Sequence, residues 1–229
     1  MNKQVIYEKA GRLRFVGHLD FMRTIHRAMR RADIPLSYSQ GFNPHPHMSF
    51  ASPLALGWSG EGEIMEFRTE TDITDQEVMD RLSKELPEGI RILSCRTIPD
   101  KEPPIMAKIQ AAGYRISLPE DRDWSDAVAK FLDRPSIMLK KMGKVHGKKK
   151  EIEVEVRPWI YEWKMEDPHT LSMVCACGSE QNLKPDLLIN ELYQQTGELE
   201  QLKYAESICR VALYGRVDGK LINYSSPEA

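Results

Sequence analysis

Arg23, Arg27 and Arg31 recur at every fourth residue, a spacing that lines three guanidinium groups along one face if the segment is helical. Aligned like charges repel unless an anion sits among them, and guanidinium is the side chain that grips phosphate through paired hydrogen bonds. His18 and His26 flank this stripe, and Arg12 and Arg14 stand just upstream. The cluster points to a phosphate or nucleic-acid contact. The plain alternative is a solvated helix face paired with the acidic stretch downstream.

A second group is Ser39-Gln40-Gly41-Phe42-Asn43-Pro44-His45-Pro46-His47. Gly41 and Asn43 tolerate left-handed backbone, and the two prolines stiffen the end of the segment. Such a loop suits a base: Phe42 to stack, Gln40 and Asn43 to hydrogen-bond, His45 beside them. His45, His47, His18 and Asp20 also resemble a metal-ligand set, but His-x-His with distant partners is a weak pattern, and no metal is expected. A third group is the run Lys140-Lys141-Met142-Gly143-Lys144-Val145-His146-Gly147-Lys148-Lys149-Lys150, with six lysines and no acid. Lys140, Lys141, Lys148, Lys149 and Lys150 are its expected nucleic-acid contacts, through phosphate.

Other patterns exclude chemistry. Gly57-Trp58-Ser59-Gly60-Glu61-Gly62 lacks the Gly-Lys-Ser/Thr of a phosphate-binding Walker loop. Cys175 and Cys177 have no second cysteine pair to complete a zinc site. The three-cysteine signature of a radical S-adenosylmethionine cluster is missing, as is a Ser/His/Asp nucleophile arrangement. No cofactor is expected.

The elements that must position these groups fall into two similar halves. In the first, a strand or strand pair over Val5–Val16 with Gly11 at the turn precedes a helix over Leu19–Ala32, carrying Met22, Ile25 and Met29 at helical spacing. A long loop spans 37–62, a strand Glu63–Thr69, a helix opened by the capping box of Thr74 and Glu77, and a strand Ile90–Ile98. The linker Pro99-Asp100-Lys101-Glu102-Pro103-Pro104 stiffens the joint. In the second half a strand over Tyr114–Leu118, a helix to Asp133, the alternating strand Ile152-Val154-Val156, a strand Leu171–Ala176, a helix from Pro185 to Thr196 with Gly197 as its cap, and a strand Ser207–Tyr214 repeat the order. The expectation is α+β: tandem ferredoxin-like (βαββαβ) domains over 1–105 and 106–229, each with its own sheet, and a loosely held tail.

The chain of 229 residues has a net charge of −2, which hides alternation. Residues 1–60 balance at +5, 61–107 at −6, 108–150 at +6 and 151–229 at −7. A polyanion partner needs a basic face rather than a basic protein. With 41% hydrophobic residues, four scattered cysteines and no apolar run near the roughly 20 residues of a membrane helix, the expectation is a cytoplasmic globular protein.

Gly17-His18-Leu19-Asp20, Arg23, Arg30-Arg31-Ala32, Pro35 and Ser39 through Pro46 resemble an uncharacterised bacterial family of radical-SAM-linked proteins, in which this domain stands alone or behind a radical S-adenosylmethionine module. The resemblance continues through Ser49-Phe50-Ala51, Pro53-Leu54 and Glu61-Gly62-Glu63, and more weakly at Lys149–Pro158 and Lys184-Pro185-Asp186. It implies a link to a radical enzyme and supplies no activity. Together these readings favour an RNA-binding accessory protein that presents a tRNA or ribosomal RNA to a radical SAM protein or a processing partner. The alternatives are a metal-independent RNA endonuclease using His18, His26 or His45 as acid or base, and a protein–protein scaffold whose charged stretches pair internally.

Overall fold

The computed structural model describes residues 1–145, 148–197 and 208–226, and the side chains of these except 141–145, 148 and 149. The first half runs β1 (Asn2–Lys9), α1 (His18–Arg31), β2 (Met48–Phe50), β3 (Ser59–Arg68), α2 (Asp75–Glu85) and β4 (Ile90–Ile98). A short α3 (Ile105–Lys108) follows the linker. Then come β5 (Ala111–Ser117), α4 (Ser125–Leu132), β6 (Met138–Val145), β7 (Lys148–Glu155), β8 (Ile160–Asp167), β9 (Thr170–Ala176), α5 (Pro185–Thr196), β10 (Ile208–Val217) and β11 (Lys220–Asn223). The protein is a mixed α+β structure built on a large, mostly antiparallel sheet.

That sheet corrects the expectation of two separate ones. Nine strands run in the order β4-β1-β3-β10-β5-β9-β8, with β2 added on β3 and β11 on β10. The halves meet where β3 and β10 pair in parallel, Cys209 opposite Ser59 and Arg210 opposite Gly60; the other pairings are antiparallel. Each half keeps its own apolar core on one side. Tyr7, Phe21, Ile25, Met29, Val78 and Leu82 form the first, beneath α1 and α2. Val128, Phe131, Leu171, Met173, Leu188 and Leu192 form the second, beneath α4 and α5. Tyr7 lies opposite Glu63 in the β1–β3 register, and Tyr114 lies opposite both Met173 and Arg210. Both helix pairs therefore cover the same face of the sheet.

Two local expectations also change. The strand pair over Val5–Val16 is a single strand that ends at Lys9, followed by a 3-10 turn over Gly11–Phe15. Ala10 donates its N–H to the Gly89 carbonyl at 2.8 Å and Gly11 takes φ of 58°, so the chain leaves the sheet there. In the second half, Ile152 and Val154 belong to β7, which pairs only with β6, in a hairpin outside the main sheet. The place beside β9 goes to β8, whose Trp163 and Met165 alternate with Glu162, Lys164 and Glu166. The helix and cap assignments stand: Thr74 and Glu77 form a reciprocal capping box, and Gly197 closes α5 at φ of 81°. Ser207, at the expected start of the last strand, lies outside the described residues, as do 227–229 of the tail; Lys220–Asn223 makes a hairpin with β10.

Lys3, 1% exposed, holds α2 to the sheet. Its ammonium donates to Asp75 Oδ1 at 2.6 Å and to Thr97 Oγ1 at 2.7 Å. Partial burial pushes the Asp75 carboxyl up, but the bonds from Lys3 and Thr97 outweigh it and hold the group below its ordinary value. A depressed folded-state pKa gives stability that is present above the unfolded value, near ~3.9, and lost as pH falls through the folded one. Asp75→Asn is therefore expected to lower stability at pH 7 and to flatten the loss below about pH 4, as read by denaturant unfolding at several pH values. An unchanged acid limb would remove Asp75 from that role.

Candidate nucleic-acid interface

Helix α1 is amphipathic, burying Phe21, Ile25, Ala28 and Met29. Its outer face carries the arginines, and the structure sorts them. Arg31 donates to Glu85 of α2, Nε to Oε2 at 2.9 Å and Nη2 to the backbone carbonyl at 2.6 Å. It bridges the two helices while its side chain stays about half exposed. Arg23 pairs with Asp20 one turn earlier at 2.9 Å, both well exposed, a contact worth little. Arg27 and Arg30 are both exposed and have no ion-pair partner among the described residues. Seven residues come within about 20° of two full turns, so Arg30 is in line with Arg23. The stripe is Arg23, Arg27 and Arg30, with exposed Leu19 at its start.

The histidines are dispersed. His18 opens α1 but turns inward, its ring edge-on to Phe50 at 5.5 Å. Burial, and then the charge of Lys9, hold it below the ordinary histidine range. His26 Nε2 meets the Tyr38 hydroxyl at 3.1 Å, and burial followed by Arg30 lowers its pKa. His45 is exposed on the loop. No hydrogen bond joins any two of the three among the described residues, so the structure does not assemble His18, His26 and His45 into an acid–base pair.

The 39–47 loop is a braced projection. Tyr38 and Pro46 bridge, Ser39 N–H donates to the His45 carbonyl at 2.8 Å, and His45 N–H donates to Ser39 Oγ at 3.0 Å. Ser37 Oγ meets His47 Nδ1 at 3.2 Å. Gly41 takes the left-handed backbone at φ of 125°; Asn43 does not. At the tip Phe42 is fully exposed, with Gln40, Asn43 and His45 exposed around it. An unsupported phenyl ring in water has no folding role, and a base could stack on it. The Tyr38–His26 contact ties this loop to α1.

Of the basic residues upstream, Arg12 is exposed and Arg14 stacks on Phe15, guanidinium 4.9 Å from the ring centre. The lysine run forms the β6–β7 hairpin. Near its base lysines face acids: Lys140 lies opposite Glu153 and pairs with Glu151 at 3.5 Å. Toward the tip the register sets Lys144 opposite Lys149, Gly143 opposite Lys150 and Val145 opposite Lys148. Like charges directly opposed across a hairpin are unfavourable, unless an anion lies between them. Lys140 and Lys150 are exposed; the side chains of Lys141, Lys148 and Lys149, and His146 and Gly147 altogether, lie outside the described residues.

Two polar groups with no signal in the sequence form the seam of the halves. Arg210 of β10 grips Glu63 of β3, Nε to Oε1 at 2.8 Å and Nη2 to Oε2 at 2.5 Å, and also donates to Ser52 Oγ at 3.2 Å and to the Ser52 carbonyl at 2.8 Å. Both side chains are 3% exposed or less. Burial pulls the guanidinium down, but Glu63 outweighs it and holds Arg210 well above its usual range. This explains the glycine-rich segment: a Cβ on Gly60 would lie 2.6 Å from Glu63, and one on Gly62 would lie 2.6 Å from Ser225. Ser225 Oγ donates to the Gly62 carbonyl and accepts from Leu213 N–H. Cys175 and Cys177 are buried, with Cys175 Sγ donating to the Leu183 carbonyl at 3.5 Å. Among the described residues there is no cluster of metal-ligating groups, and no helix is long and apolar enough to cross a membrane.

Residues 3–185 match the model of a family described as an uncharacterized protein conserved in bacteria, DUF2344. A comparison with curated proteins gives no match. The matched span holds α1, the 39–47 loop and the β6–β7 hairpin; Arg210 and Ser225 stand beyond it.

Proposed function

We propose that this chain, which belongs to the bacterial DUF2344 family, is an RNA-binding accessory protein that works beside a radical SAM enzyme or an RNA-processing partner. The observation that carries this reading is the β6–β7 hairpin, which stands apart from the main sheet with lysine opposite lysine toward its tip. That arrangement gains nothing for the fold and suits a phosphate backbone. The Arg27–Arg30 stripe and the bare Phe42 add a second cationic surface with a stacking ring. The link to a radical enzyme rests on the sequence resemblance at Gly17–Asp20 and Ser39–Pro46.

The strand orders support reading each half as ferredoxin-like. In the first, β4-β1-β3-β2 is the order of a split βαβ unit; in the second it is β10-β5-β9-β8, with β6–β7 inserted after α4. Such sheets commonly serve RNA-binding modules. Binding rather than cleavage is favoured because no hydrogen bond joins any two of the three candidate histidines among the described residues, and His18 and His26 are each engaged with an aromatic side chain, Phe50 and Tyr38. The internal pairs Arg31–Glu85, Arg115–Glu61 and Lys3–Asp75 do join basic to acidic stretches, yet Arg27, Arg30 and Lys150 have no ion-pair partner among the described residues.

The test is direct binding of the purified chain to tRNA and to a mixed-sequence single-stranded RNA at several salt concentrations. The expected result is an affinity that falls linearly with salt on logarithmic axes, with both RNAs recovered intact. No binding to either would overturn the reading in favour of a protein–protein scaffold. Binding followed by cleavage without a partner would make the chain a nuclease.

A further inference from the structure

The face of the sheet opposite the helices is treated differently in the two halves. In the first, Ile6 and Ile64 meet Ile105 of α3 in a common apolar cluster, and Glu66 accepts the Ile105 N–H at 3.1 Å, so α3 lies across that face. In the second, the centre of the face is open, and it holds a recess of about 250 Å³. Gly113 is its floor. The β5–β9 and β8–β9 registers place Gly113, Val174 and Glu162 in one row across three strands, with Ser172 and Lys164 paired in the next row. Val211, at the irregularity in β10, closes the near side. The Tyr214 ring stands beside Gly113, where an added Cβ would lie 3.3 Å from the ring and 3.3 Å from Val211. The glycine lets the Tyr214 ring and Val211 approach the backbone closely, and so sets the ring as the wall of the recess.

We propose that this recess is a nucleobase pocket for guanine, with Tyr214 as the stacking wall, Glu162 as the reader of the base edge and Lys164 as the phosphate contact. The three groups set the chemistry. The volume admits one planar ring system and falls short of the roughly 300 Å³ at which drug-sized pockets begin. A carboxylate is an acceptor only. Guanine is the base that presents two adjacent donors, N1–H and N2–H₂, on its Watson–Crick edge, so the two oxygens of Glu162 match it in a bidentate way, whereas adenine, cytosine and uracil present at least one opposing acceptor. Glu162 and Lys164 are exposed and have no ion-pair partner among the described residues, so neither is spent on the fold. Glu162 is close enough to Tyr214 that its charge, after burial, raises the phenol, which places the carboxylate beside the ring wall. Lys164 projects to the same face two residues on, where the sugar-phosphate of a base seated over Gly113 would leave.

The pocket deepens the RNA-binding reading and rests on it, so the experiment separates the two. The full chain is titrated with GMP, AMP, CMP and UMP at one ionic strength, followed by chemical shifts of the Gly113 and Val174 amides. It is then given guanine-containing and guanine-free single-stranded RNAs over a range of salt. The expected result is a preference for GMP of about tenfold, the size of one bidentate base contact. Glu162→Gln should abolish that preference, and Lys164→Ala should weaken all four nucleotides alike. Both positions are exposed, and an unchanged melting temperature confirms that the variants fold. If RNA binds with a steep salt slope but GMP binds no better than the others, or if Glu162→Gln keeps the preference, the pocket is overturned and the RNA reading stands. If GMP binds selectively and no RNA binds, the pocket stands as a mononucleotide site and the RNA reading falls. Loss of both overturns both.

Discussion

Arg210→Ala is expected to destabilise the protein by about 3–5 kcal/mol, the cost of leaving one member of a buried ion pair uncompensated. Glu63 would then sit almost fully buried, with its two bonds from the guanidinium gone and Ser52 losing its donors. Lys9 does not rescue it. That ammonium donates to the Val16 carbonyl at 3.0 Å and lies over the Phe21 ring, and burial already pulls it below its usual range. The loss is a large share of the roughly 5–15 kcal/mol that holds a folded domain together. It should spread to both halves, because the pair bridges the β3–β10 seam. The double variant Glu63→Leu with Arg210→Met should be far closer to wild type, since an apolar pair of similar volume avoids the desolvation cost. Denaturant midpoints for Glu63→Leu, Arg210→Met and the double variant form the cycle that measures this, with Arg210→Ala measured beside them. A loss below about 1 kcal/mol for Arg210→Ala, or additive effects in the cycle, would show that the seam is held by strand pairing and apolar contact instead.

The same residues show what the sequence could and could not say. Elements with local causes were legible. The capping box at Thr74 and Glu77 needs only three residues, Pro185 and Gly197 bracket α5 by their own backbone preferences, and Ile90–Ile98 was bounded correctly by alternation. The seam was not legible, because Glu63 and Arg210 are 147 residues apart and each reads alone as an ordinary surface charge. The cue that existed was Gly60 and Gly62 alternating around Glu61, a sign of close approach on one face. The placement of β7 failed for another reason. Ile152 and Val154 alternate cleanly, yet are only half-buried in a hairpin that packs on the second core at its base and pairs with no strand of the main sheet, while β8 carries the same alternation in Glu162-Trp163-Lys164-Met165 and wins the sheet because its Trp163 and Met165 meet Met173 and Leu171. Among the candidate contacts, four-residue spacing put Arg31 with Arg23 and Arg27. Only the neighbouring helix shows that Arg31 is paired with Glu85, whereas the alignment of Arg30 with Arg23 follows from helical spacing. The recess over Gly113 was signalled weakly, by a glycine beside two alanines in a strand otherwise rich in larger residues.

Replacing Lys140, Lys141, Lys148, Lys149 and Lys150 together with alanine is expected to weaken RNA binding about 100-fold at ~0.1 M salt while leaving the melting temperature nearly unchanged. The hairpin lies outside the nine-stranded sheet and Lys140 and Lys150 are exposed, so removing these charges costs the fold little. Each lysine that meets a phosphate contributes roughly 0.7 to the log–log salt slope on a single strand. Lys140 is partly neutralised by Glu151, and with about three of the other four lysines meeting phosphates, about three contacts are lost. The slope should then flatten by about 2, and the deficit should vanish toward 1 M salt, where counterion release no longer drives binding. Arg27→Ala with Arg30→Ala should behave differently. These arginines share a surface with His26 and, through Tyr38, with the Phe42 loop, so their loss should reduce discrimination between RNAs as well as affinity. Phe42→Ala should do the same with no change in salt slope, because stacking releases no counterions. A lysine variant with an unchanged slope would remove the hairpin from the binding surface. An arginine variant that weakens every RNA equally would reduce the α1 stripe to a phosphate contact without a reading role.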